Sequence, residues 1–370
     1  MKKVRIGLIG YGVMGANHAS QLFENAIPQA ELTAVCEPNQ DNLKRAKETC
    51  GDRVRYFTDV KDLLAANLMD AVLIATPHFD HPKSAIEAFK AGLHVLIEKP
   101  AGAFTKHVRE MNAAALSSKK VFGIMFNQRT WGIHQKLHDL IKSGELGSLK
   151  RINWTITNWY RTQAYYDSCD WRATWAGEGG GVLLNQCPHN LDLWQWVFGM
   201  PKRIRAFCHF GKYHNIEVED DVTAYLEYAD GVTGVLVTST GEAPGTNRLE
   251  IAGDNGKLVM ENRQLTYWKN RCGERKWNQT SKDFMKPLES WKCEIPFSEI
   301  NEDHKGILKN FVSAIVNMTP LLAPGQEGIC SLELSNAMLL STWTDNWVEL
   351  PMDDDLFYSH FDKRLKTQQA

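Results

Sequence analysis

The sequence predicts an α/β protein that opens with a doubly wound parallel sheet and continues with a second, strand-rich part. Over the first 127 residues, short apolar runs alternate with helical segments, and a glycine-rich turn follows the first run. Such alternation is typical of parallel strands joined by helices that cover both faces of the sheet. After about Arg129 the alternation gives way to one helix and a series of strand-like runs. We therefore expect two domains of different architecture.

The first strand and the turn behind it have the spacing of a dinucleotide-binding motif. Val4–Ile9 is a short apolar run suited to a buried parallel strand, and Gly10-x-Gly12-x-x-Gly15 follows at once. The first glycine allows the tight turn, the second lets the backbone approach a pyrophosphate, and the third lets helix and strand pack closely. A helix is predicted over residues 16–25, and its N-terminal amides would bind that pyrophosphate.

The acid that follows the second strand favours NAD over NADP. This strand is predicted over 31–36 and leads directly into Glu37. A carboxylate at this position accepts hydrogen bonds from the ribose diol and repels a 2′-phosphate. Arg45 lies nearby and would suit a 2′-phosphate, but on its helix we expect it to be a solvated surface charge.

Three further strands are predicted in this part, and polar residues follow each of them. The strands cover 71–75, 94–97 and 121–127, and a helix covers 82–91. Ligands of such sheets lie beyond the carboxyl ends of the strands, so we expect these polar residues to surround the nicotinamide. The residues predicted to contact the cofactor, those of the glycine turn included, are Gly10, Gly12, Val13, Met14, Gly15, Glu37, Thr76, Pro77, His81, Glu98, Lys99, Asn127 and Arg172.

Several motifs resemble the glucose-fructose oxidoreductase and inositol dehydrogenase family, also called Gfo/Idh/MocA. They are the glycine turn, Ala75-Thr76-Pro77 with His81, Ala91-Gly92-x-His94-Val95, Glu98-Lys99-Pro100, Trp171-Arg172, the run 179–192 and the stretch 341–351. The resemblance covers nearly the whole chain. It implies an N-terminal Rossmann domain, residues 1–127, that binds NAD. It also implies a C-terminal α/β domain, residues 128–370, with a large, open, mostly antiparallel sheet for substrate binding and oligomerisation. Family members commonly pair subunits over this sheet, so a homo-oligomer, a dimer or tetramer, is expected.

The residue pattern of the second part supports that architecture independently. One helix is predicted over 132–143, and strand-like runs follow at 149–160, 203–211, 222–228, 233–239, 248–252 and 257–260. Asp230-Gly231, between two of these runs, is a strong hairpin signal.

Composition argues against several classes of function. The 370 residues carry a net charge of −2 and are 43% hydrophobic, which gives no electrostatic reason to expect nucleic acid or a membrane as partner. No apolar run approaches the length that spans a bilayer. The eight cysteines contain no C-x-x-C pair, which indicates reduced thiols in a cytoplasmic protein. His134 and His138 are four residues apart on a helix, but no acidic third ligand completes a metal site, so no metal is expected.

We assign the chemistry to Lys99 and His189. Removal of hydride from a secondary alcohol needs a base for the hydroxyl proton and stabilisation of the developing alkoxide. Histidine titrates near neutral pH, so His189 is the candidate base, and Lys99 would donate a hydrogen bond to the substrate oxygen. The family commonly carries Asp where this chain has Asn185, and an amide can orient a hydroxyl but cannot share its proton. Asp192 shares a face of the predicted helix 188–198 with His189, where it either orients the imidazole or is simply a buried polar residue.

An aromatic cluster indicates a sugar or polyol substrate. Seven aromatic residues lie between positions 154 and 175, interleaved with charged ones. Aromatic faces cover the C–H surface of a pyranose while polar groups bond its hydroxyls, although about half of these rings are expected only to pack. The residues predicted to contact the substrate are Asn185, Asp192, Arg172, Trp171 and Tyr165. The segment from Tyr165 through Trp171-Arg172 to His189 is similar to the corresponding segment of family branches that oxidise a pyranose ring hydroxyl at C3.

The leading hypothesis is an NAD-dependent sugar or glycoside dehydrogenase that forms a keto-sugar reversibly. One alternative is an inositol dehydrogenase, and another is a glycosidase that uses tightly held NAD for transient oxidation. A third is a sugar-sensing protein without catalysis, but such a protein would have lost Lys99 or His189, and this chain keeps both.

Overall fold

The computed structural model describes residues 3–24 and 26–367, which form two compact units. The first unit comprises the described residues up to Thr130 together with Asn301–Leu332, and the second comprises Trp131–Ile300 and the described residues from Glu333 onward. The boundary after residue 127 stays a prediction. The units differ from it in the segment 301–332, which packs with the first unit.

The described residues form fifteen strands and twelve helices. The strands are β1 (Val4–Ile9), β2 (Ala30–Cys36), β3 (Arg55–Phe57), β4 (Ala71–Ile74), β5 (His94–Ile97), β6 (Phe122–Ile124), β7 (Leu149–Ile156), β8 (Arg203–Phe210), β9 (Glu219–Glu227), β10 (Thr233–Ser239), β11 (Asn247–Gly253), β12 (Gly256–Glu261), β13 (Gln264–Asn270), β14 (Ser290–Glu294) and β15 (Val348–Glu349). The helices are α1 (Val13–Phe23), α2 (Gln40–Cys50), α3 (Val60–Ala65), α4 (Asp80–Lys90), α5 (Thr105–Ser118), α6 (Gly132–Lys142), α7 (Gln163–Tyr166), α8 (Pro188–Phe198), α9 (Glu274–Thr280), α10 (Asp303–Asn317), α11 (Gly328–Thr344) and α12 (Asp354–Thr367). Among these helices, none is long and apolar enough to cross a bilayer.

The first unit is built on a six-stranded parallel sheet of order β3-β2-β1-β4-β5-β6. Strands β4 and β6 are buried along their whole length, as expected where helices cover both faces. Strand order reverses between β1 and β4, and ligands of such sheets bind beyond the carboxyl ends of the strands at this switch point. The predicted doubly wound parallel sheet is confirmed.

The segment 301–332 joins the first unit through α10 and the turn after it. Helix α10 packs against β1 and against the short 3₁₀ turn Asn127–Thr130. The amide of Ile124 donates a hydrogen bond to the carbonyl of Ala323, 3.1 Å away, so the chain beyond α10 lies along the edge strand β6. A sequence pattern could not reveal this return, because the contacts join residues about 200 positions apart.

The second unit is built on a nine-stranded sheet of order β14-β13-β12-β11-β7-β10-β9-β8-β15. Neighbouring strands are antiparallel apart from β7 and β10, which run parallel. Along β10 every second residue is buried, so one face of the sheet is covered and the other carries part-exposed side chains. The large, mostly antiparallel second sheet is confirmed.

The predicted segments coincide with elements of the structure, but several of their bounds differ. The strand predicted over 149–160 ends at Ile156, and the strand predicted over 121–127 covers only Phe122–Ile124. The hairpin at Asp230-Gly231 is confirmed, since Gly231 has a φ of 89° and the flanking strands β9 and β10 pair antiparallel. The helix predicted over 16–25 begins earlier, at Val13, because Gly12 forms its N-cap, and residue 25 lies outside the described residues.

Candidate functional site

The glycine turn between β1 and α1 is shaped by two close backbone approaches and one open position. Gly10 has a φ of 93°, and a Cβ at this residue would lie 2.6 Å from the carbonyl oxygen of Ala75. A Cβ at Gly15 would lie 2.1 Å from the carbonyl oxygen of Gly10. A Cβ at Gly12 would meet no atom within 4 Å. The first and third glycines are therefore required by the fold, whereas the second leaves space in front of the helix.

The N-terminus of α1 is suited to an anion. No side chain caps it, no acidic residue lies in its first turn, and Val13 at its first position is 86% exposed. Uncapped amides and the positive end of the helix dipole favour a phosphate group. The predicted contacts from Gly12, Val13 and Met14 are compatible with this geometry and stay predictions.

Glu37 holds the glycine turn in place from the end of β2. Its buried carboxylate accepts a hydrogen bond from the amide of Tyr11 at 2.6 Å and another from the amide of Asn39 at 2.9 Å. A carboxylate has about four acceptor sites, so these bonds leave capacity for a ribose diol. The ribose contact remains a prediction, and the structure adds a role in fixing the turn.

His81 ties together the loops that follow β4 and β5. The side chain is fully buried, with Nε2 2.8 Å from the carbonyl oxygen of Thr76 and Nδ1 2.8 Å from that of Pro100. Burial lowers the pKa of this imidazole, although both hydrogen bonds oppose the shift. His81 is therefore placed to position Thr76 and the neighbouring Pro77, and its direct contact with the cofactor stays a prediction.

Glu98 forms a buried hydrogen bond with His18 beside Lys99. Its Oε1 lies 2.6 Å from Nε2 of His18, and its Oε2 accepts the backbone amide of Lys99 at 3.1 Å. Burial raises the pKa of the Glu98 carboxyl, but the hydrogen bond from His18 and the charges of His18, Lys99 and His304 outweigh it and lower the pKa to about 2. Glu98 therefore stays ionised, fixes the backbone of the part-exposed Lys99 and supplies a negative charge next to it.

Two histidines in this arrangement were missed by the sequence analysis. His18 lies on α1, three residues after Gly15, and its ring contacts that of His304 from α10 edge to face, with centroids 5.6 Å apart. Position 18 lies on the buried face of the helix after the glycine turn, and a histidine there was a signal for a buried polar contact. His304 belongs to a segment whose return to this unit the sequence did not indicate.

Asn127 is held by the start of α10. Its Nδ2 donates to the carboxylate of Asp303 at 2.6 Å, and the amide of Asp303 donates to the hydroxyl of Thr130 at 2.8 Å. Asn127 Oδ1 and the hydroxyl oxygen of Thr76 are both buried without a hydrogen-bond partner in the described residues. Two strand ends of the parallel sheet therefore carry polar atoms that a ligand could satisfy.

In the second unit, Glu219 holds the glycine run that leads to Asn185. Its Oε1 accepts the amides of Gly181 at 2.9 Å and Leu183 at 3.0 Å, and a Cβ at Gly181 would lie 1.9 Å from the Glu219 carbonyl oxygen. Burial raises the pKa of this carboxyl to about 7 despite the hydrogen bonds. The glycine is needed because the backbone passes directly over Glu219, a residue that the sequence analysis missed.

Asn185 is hydrogen-bonded to a second buried acid, Glu178. The Asn185 amide donates to Oε1 of Glu178, and Oε2 of Glu178 accepts the backbone amide of Ala173 at 2.8 Å. Glu178 is 2% exposed. The Glu178 carboxylate thus links Ala173, which follows Trp171-Arg172, to Asn185, a predicted substrate residue.

His189 and Asp192 both lie on α8, as predicted. His189 occupies the second position of the helix and is part-buried, whereas Asp192 is 1% exposed and accepts a hydrogen bond from Gln195 at 3.0 Å. The orientation of the His189 ring by Asp192 stays a prediction.

Tyr165, Trp171 and Arg172 come together in the second unit. Nη1 of Arg172 donates to the Tyr165 hydroxyl at 2.6 Å, and the guanidinium lies 4.3 Å from the Tyr165 ring centroid and 5.0 Å from that of Trp171. Trp171 is 45% exposed.

In the residues that the structure describes, no group of three or more His, Cys, Asp or Glu side chains is arranged to hold a metal ion.

The buried Glu98–His18 pair should contribute strongly to stability. Replacing His18 with Ala removes the side-chain hydrogen-bond partner of a buried carboxylate and should lower the free energy of unfolding by about 3 kcal/mol at pH 7. The lowered pKa of Glu98 stabilises the fold above the pKa of an unfolded glutamate, so the difference should shrink as pH falls from about 4.5 towards 2. Urea denaturation measures this, with Asn17→Ala on the exposed face of α1 as control. Equal stability of His18→Ala and the parent protein would contradict this contribution of the Glu98–His18 contact.

The Asn185–Glu178 pair predicts that an acid at position 185 is unfavourable. Asn185→Asp places two carboxylates in contact, so one must take up a proton in the folded state and its pKa rises. Stability should then fall as pH rises, with a deficit of about 2 kcal/mol at pH 8 that diminishes towards pH 5.

The double variant Glu178→Gln/Asn185→Asp is the matched control, because it restores the hydrogen bond with the roles of acid and amide exchanged. Thermal unfolding at several pH values should show recovery in the double variant. An Asn185→Asp protein as stable as the parent at pH 8 would rule out the contact.

Comparison with known proteins agrees with this geometry. Residues 4–126 match the model of an oxidoreductase family with an NAD-binding Rossmann fold, and residues 134–259 match the GFO/IDH/MocA C-terminal domain. An inositol 2-dehydrogenase of Corynebacterium glutamicum is 28% identical over 54% of this chain and 55% of its own length, so the alignment spans about half of that relative.

Two solved structures resemble nearly the whole chain. The WlbA dehydrogenase of Chromobacterium violaceum, in complex with NADH and UDP-GlcNAcA, is 28% identical with a TM-score of 0.80, over 95% of this chain and 97% of that one. The WlbA dehydrogenase of Bordetella pertussis, with the same ligands, is 26% identical with a TM-score of 0.79, over 95% and 100%. The chain therefore belongs to the Gfo/Idh/MocA family of NAD-dependent oxidoreductases.

Proposed function

We propose that the protein is a dehydrogenase that transfers a hydride between NAD and a carbon bearing a secondary hydroxyl of a sugar or polyol. The observation that carries the proposal is the setting of Lys99. It follows β5 at the carboxyl edge of an NAD-binding sheet, and the ionised Glu98 fixes its backbone. A cation at this edge suits the stabilisation of a developing alkoxide.

The cofactor supplies the hydride acceptor when it is bound. Gly12 leaves open space before the amides of α1, which suit its pyrophosphate, and Glu37 suits its ribose. The unsatisfied atoms Thr76 Oγ1 and Asn127 Oδ1 suit the polar edge of the nicotinamide. These residues would hold the cofactor, with Arg172 as a further contact.

Each protein group has one task in the reaction. Lys99 donates a hydrogen bond to the substrate oxygen, and its charge stabilises that oxygen as the hydroxyl proton leaves. His189 accepts this proton as general base, oriented by Asp192. Asn185, whose amide is held by Glu178, orients the hydroxyl. In the reverse direction His189 returns the proton to the oxygen of the keto group.

We propose a pyranose as substrate, oxidised at a ring hydroxyl, C3 in the first instance. The part-exposed indole of Trp171 offers an aromatic face for its C–H surface, and the nearby Tyr165 hydroxyl and Arg172 offer polar groups. The second candidate is a cyclic polyol, which the resemblance to inositol 2-dehydrogenases favours. A redox-assisted glycosidase is the third.

We also propose that the chain acts as a homo-oligomer in the cytoplasm. Phe207 on β8 and Tyr225 on β9 lie on the sheet and are 53% and 39% exposed, which suits contact with a second copy of the sheet. The eight cysteines are all free thiols, as expected in a reducing compartment.

Turnover with NAD tests the proposal. We expect NADH formation from at least one member of a panel of glucose, galactose, alkyl and aryl glucosides and inositols. Lys99→Ala and His189→Ala should each lower kcat/KM by about 10²–10⁴-fold, because a charge-stabilising group or the base is lost. The exposed Lys83→Ala and His209→Ala serve as controls. If no NADH forms while aryl glucosides are cleaved, the redox-assisted glycosidase replaces the dehydrogenase.

Two glycine-to-alanine substitutions in the glycine turn distinguish an effect on cofactor binding from an effect on folding. Gly12→Ala fits the structure, since the residue has a φ of −70° and an open surrounding, so thermal stability should be unchanged. The methyl group would occupy the space that we assign to the pyrophosphate, so the Kd for NADH should rise about tenfold or more. Gly15→Ala collides with the Gly10 carbonyl and should cost about 1–3 kcal/mol of stability.

Fluorescence titration with NADH and thermal unfolding measure the two effects. A Gly12→Ala protein that binds NADH as the parent does would contradict the assignment of this space to the cofactor.

A further inference from the structure

Four side chains surround the hydroxyl and ring of Tyr165, and we call them the Tyr165 cluster: Tyr165, Arg161, Arg172 and Gln186. The guanidinium groups of Arg161 and Arg172 lie 5.0 Å and 4.3 Å from the Tyr165 ring centroid. The Tyr165 hydroxyl accepts hydrogen bonds from Arg172 at 2.6 Å and from the Gln186 amide at 3.4 Å. The cluster therefore gathers two permanent positive charges around one phenol.

No carboxylate of the described residues neutralises these charges directly. Arg161 donates to the backbone carbonyls of Trp159 and Tyr160, and Arg172 donates to the Tyr165 hydroxyl, so their partners are neutral groups. Nε of Arg172 is buried and has no hydrogen-bond partner in the described residues. A buried guanidinium N–H without an acceptor is unfavourable, and a bound acceptor would relieve it.

The hydrogen bonds within the cluster leave mainly donors for a ligand. The Tyr165 oxygen uses its two lone pairs for Arg172 and Gln186, so its own hydrogen can be donated outward. Nε–H of Arg172 is a second donor. The buried Oε1 of Gln186, also without a partner in the described residues, is the acceptor of the cluster. Two donors beside two positive charges match an oxyanion better than a sugar hydroxyl.

We propose that the Tyr165 cluster binds an anionic group of the substrate, so that the preferred substrate is an acidic sugar derivative bearing a carboxylate or a phosphoryl group. This inference rests on the proposed dehydrogenase function and adds the substrate class. Arg172 supplies Nε–H and charge, Tyr165 supplies its O–H, and Arg161 adds charge at the same ring. The Gln186 acceptor takes a hydroxyl next to the anionic group.

A comparison of matched substrates tests the proposal. With NAD in excess, glucuronate, glucose 6-phosphate and glucose share one ring and differ in the group at C6. We expect kcat/KM for one of the two anions to exceed that for glucose by about 30-fold or more, the usual scale for a buried charged contact. The preference should appear mainly as a lower KM for the anionic sugar. High salt should weaken this preference only modestly, because the Nε of Arg172 is buried.

Two variants locate the preference. Tyr165→Phe removes the outward donor and keeps the ring, and Arg172→Met removes the guanidinium. Each should reduce the ratio of anionic to neutral substrate turnover by about tenfold or more. Arg275→Met, an exposed residue on α9, should keep the parent ratio. Equal turnover of anionic and neutral sugars by the parent protein, or an unchanged ratio in both variants, would overturn the proposal.

Two further measurements distinguish a substrate contact of Arg172 from a cofactor contact, and the anion site from the dehydrogenase activity. If Arg172→Met weakens NADH binding without changing the substrate ratio, the guanidinium serves the cofactor and the proposal fails. If no sugar is turned over, the dehydrogenase proposal fails, and calorimetric titration of glucuronate and glucose 6-phosphate still tests the cluster. Binding of either anion that Arg172→Met abolishes would support the cluster, and absence of binding to the parent protein would overturn it.

Discussion

Buried carboxylates that accept backbone amides fix the loops that carry the candidate residues in both units. The pairs are Glu37 with Tyr11, Glu98 with Lys99, Glu178 with Ala173, and Glu219 with Gly181. Amides at turns and strand ends have no ladder partner, and a hydrogen bond to a charged group contributes about 1.5–3 kcal/mol. A carboxylate has two oxygens and can hold two segments at once. The site loops are therefore positioned by acids that themselves need not touch a ligand.

The environment of each acid decides its charge. Glu98 and Glu219 are both buried, yet the pKa of Glu98 is lowered to about 2 and that of Glu219 is raised to about 7. Burial raises both values, but only Glu98 faces a histidine and a lysine, whereas Glu219 faces backbone amides and the nearby negative Glu178. At neutral pH the charge beside Lys99 is thus fixed, while the acid beneath the glycine run is close to its titration point.

The sequence predicted the fold well because the signals for it are local. Apolar runs, a glycine turn and a hairpin dipeptide each act within about ten residues, and they indicated both sheets and the residues at the strand ends. Partners far apart in the chain were not predictable, because nothing local marks them. His18 pairs with Glu98 across 80 positions, and Asp303 reaches Asn127 across 176. For the same reason, no local pattern indicated that the segment 301–332 packs with the first unit.

The amide at position 185 follows from its neighbours rather than from its place in the motif. Glu178 already supplies a buried carboxylate there, and it is committed to the amide of Ala173, so a second acid at 185 would face it in direct contact. Gln186, the next residue, donates to Tyr165, whose hydroxyl also accepts from Arg172. A neutral residue at 185 therefore adds no charge that would repel the anion that we propose those groups bind.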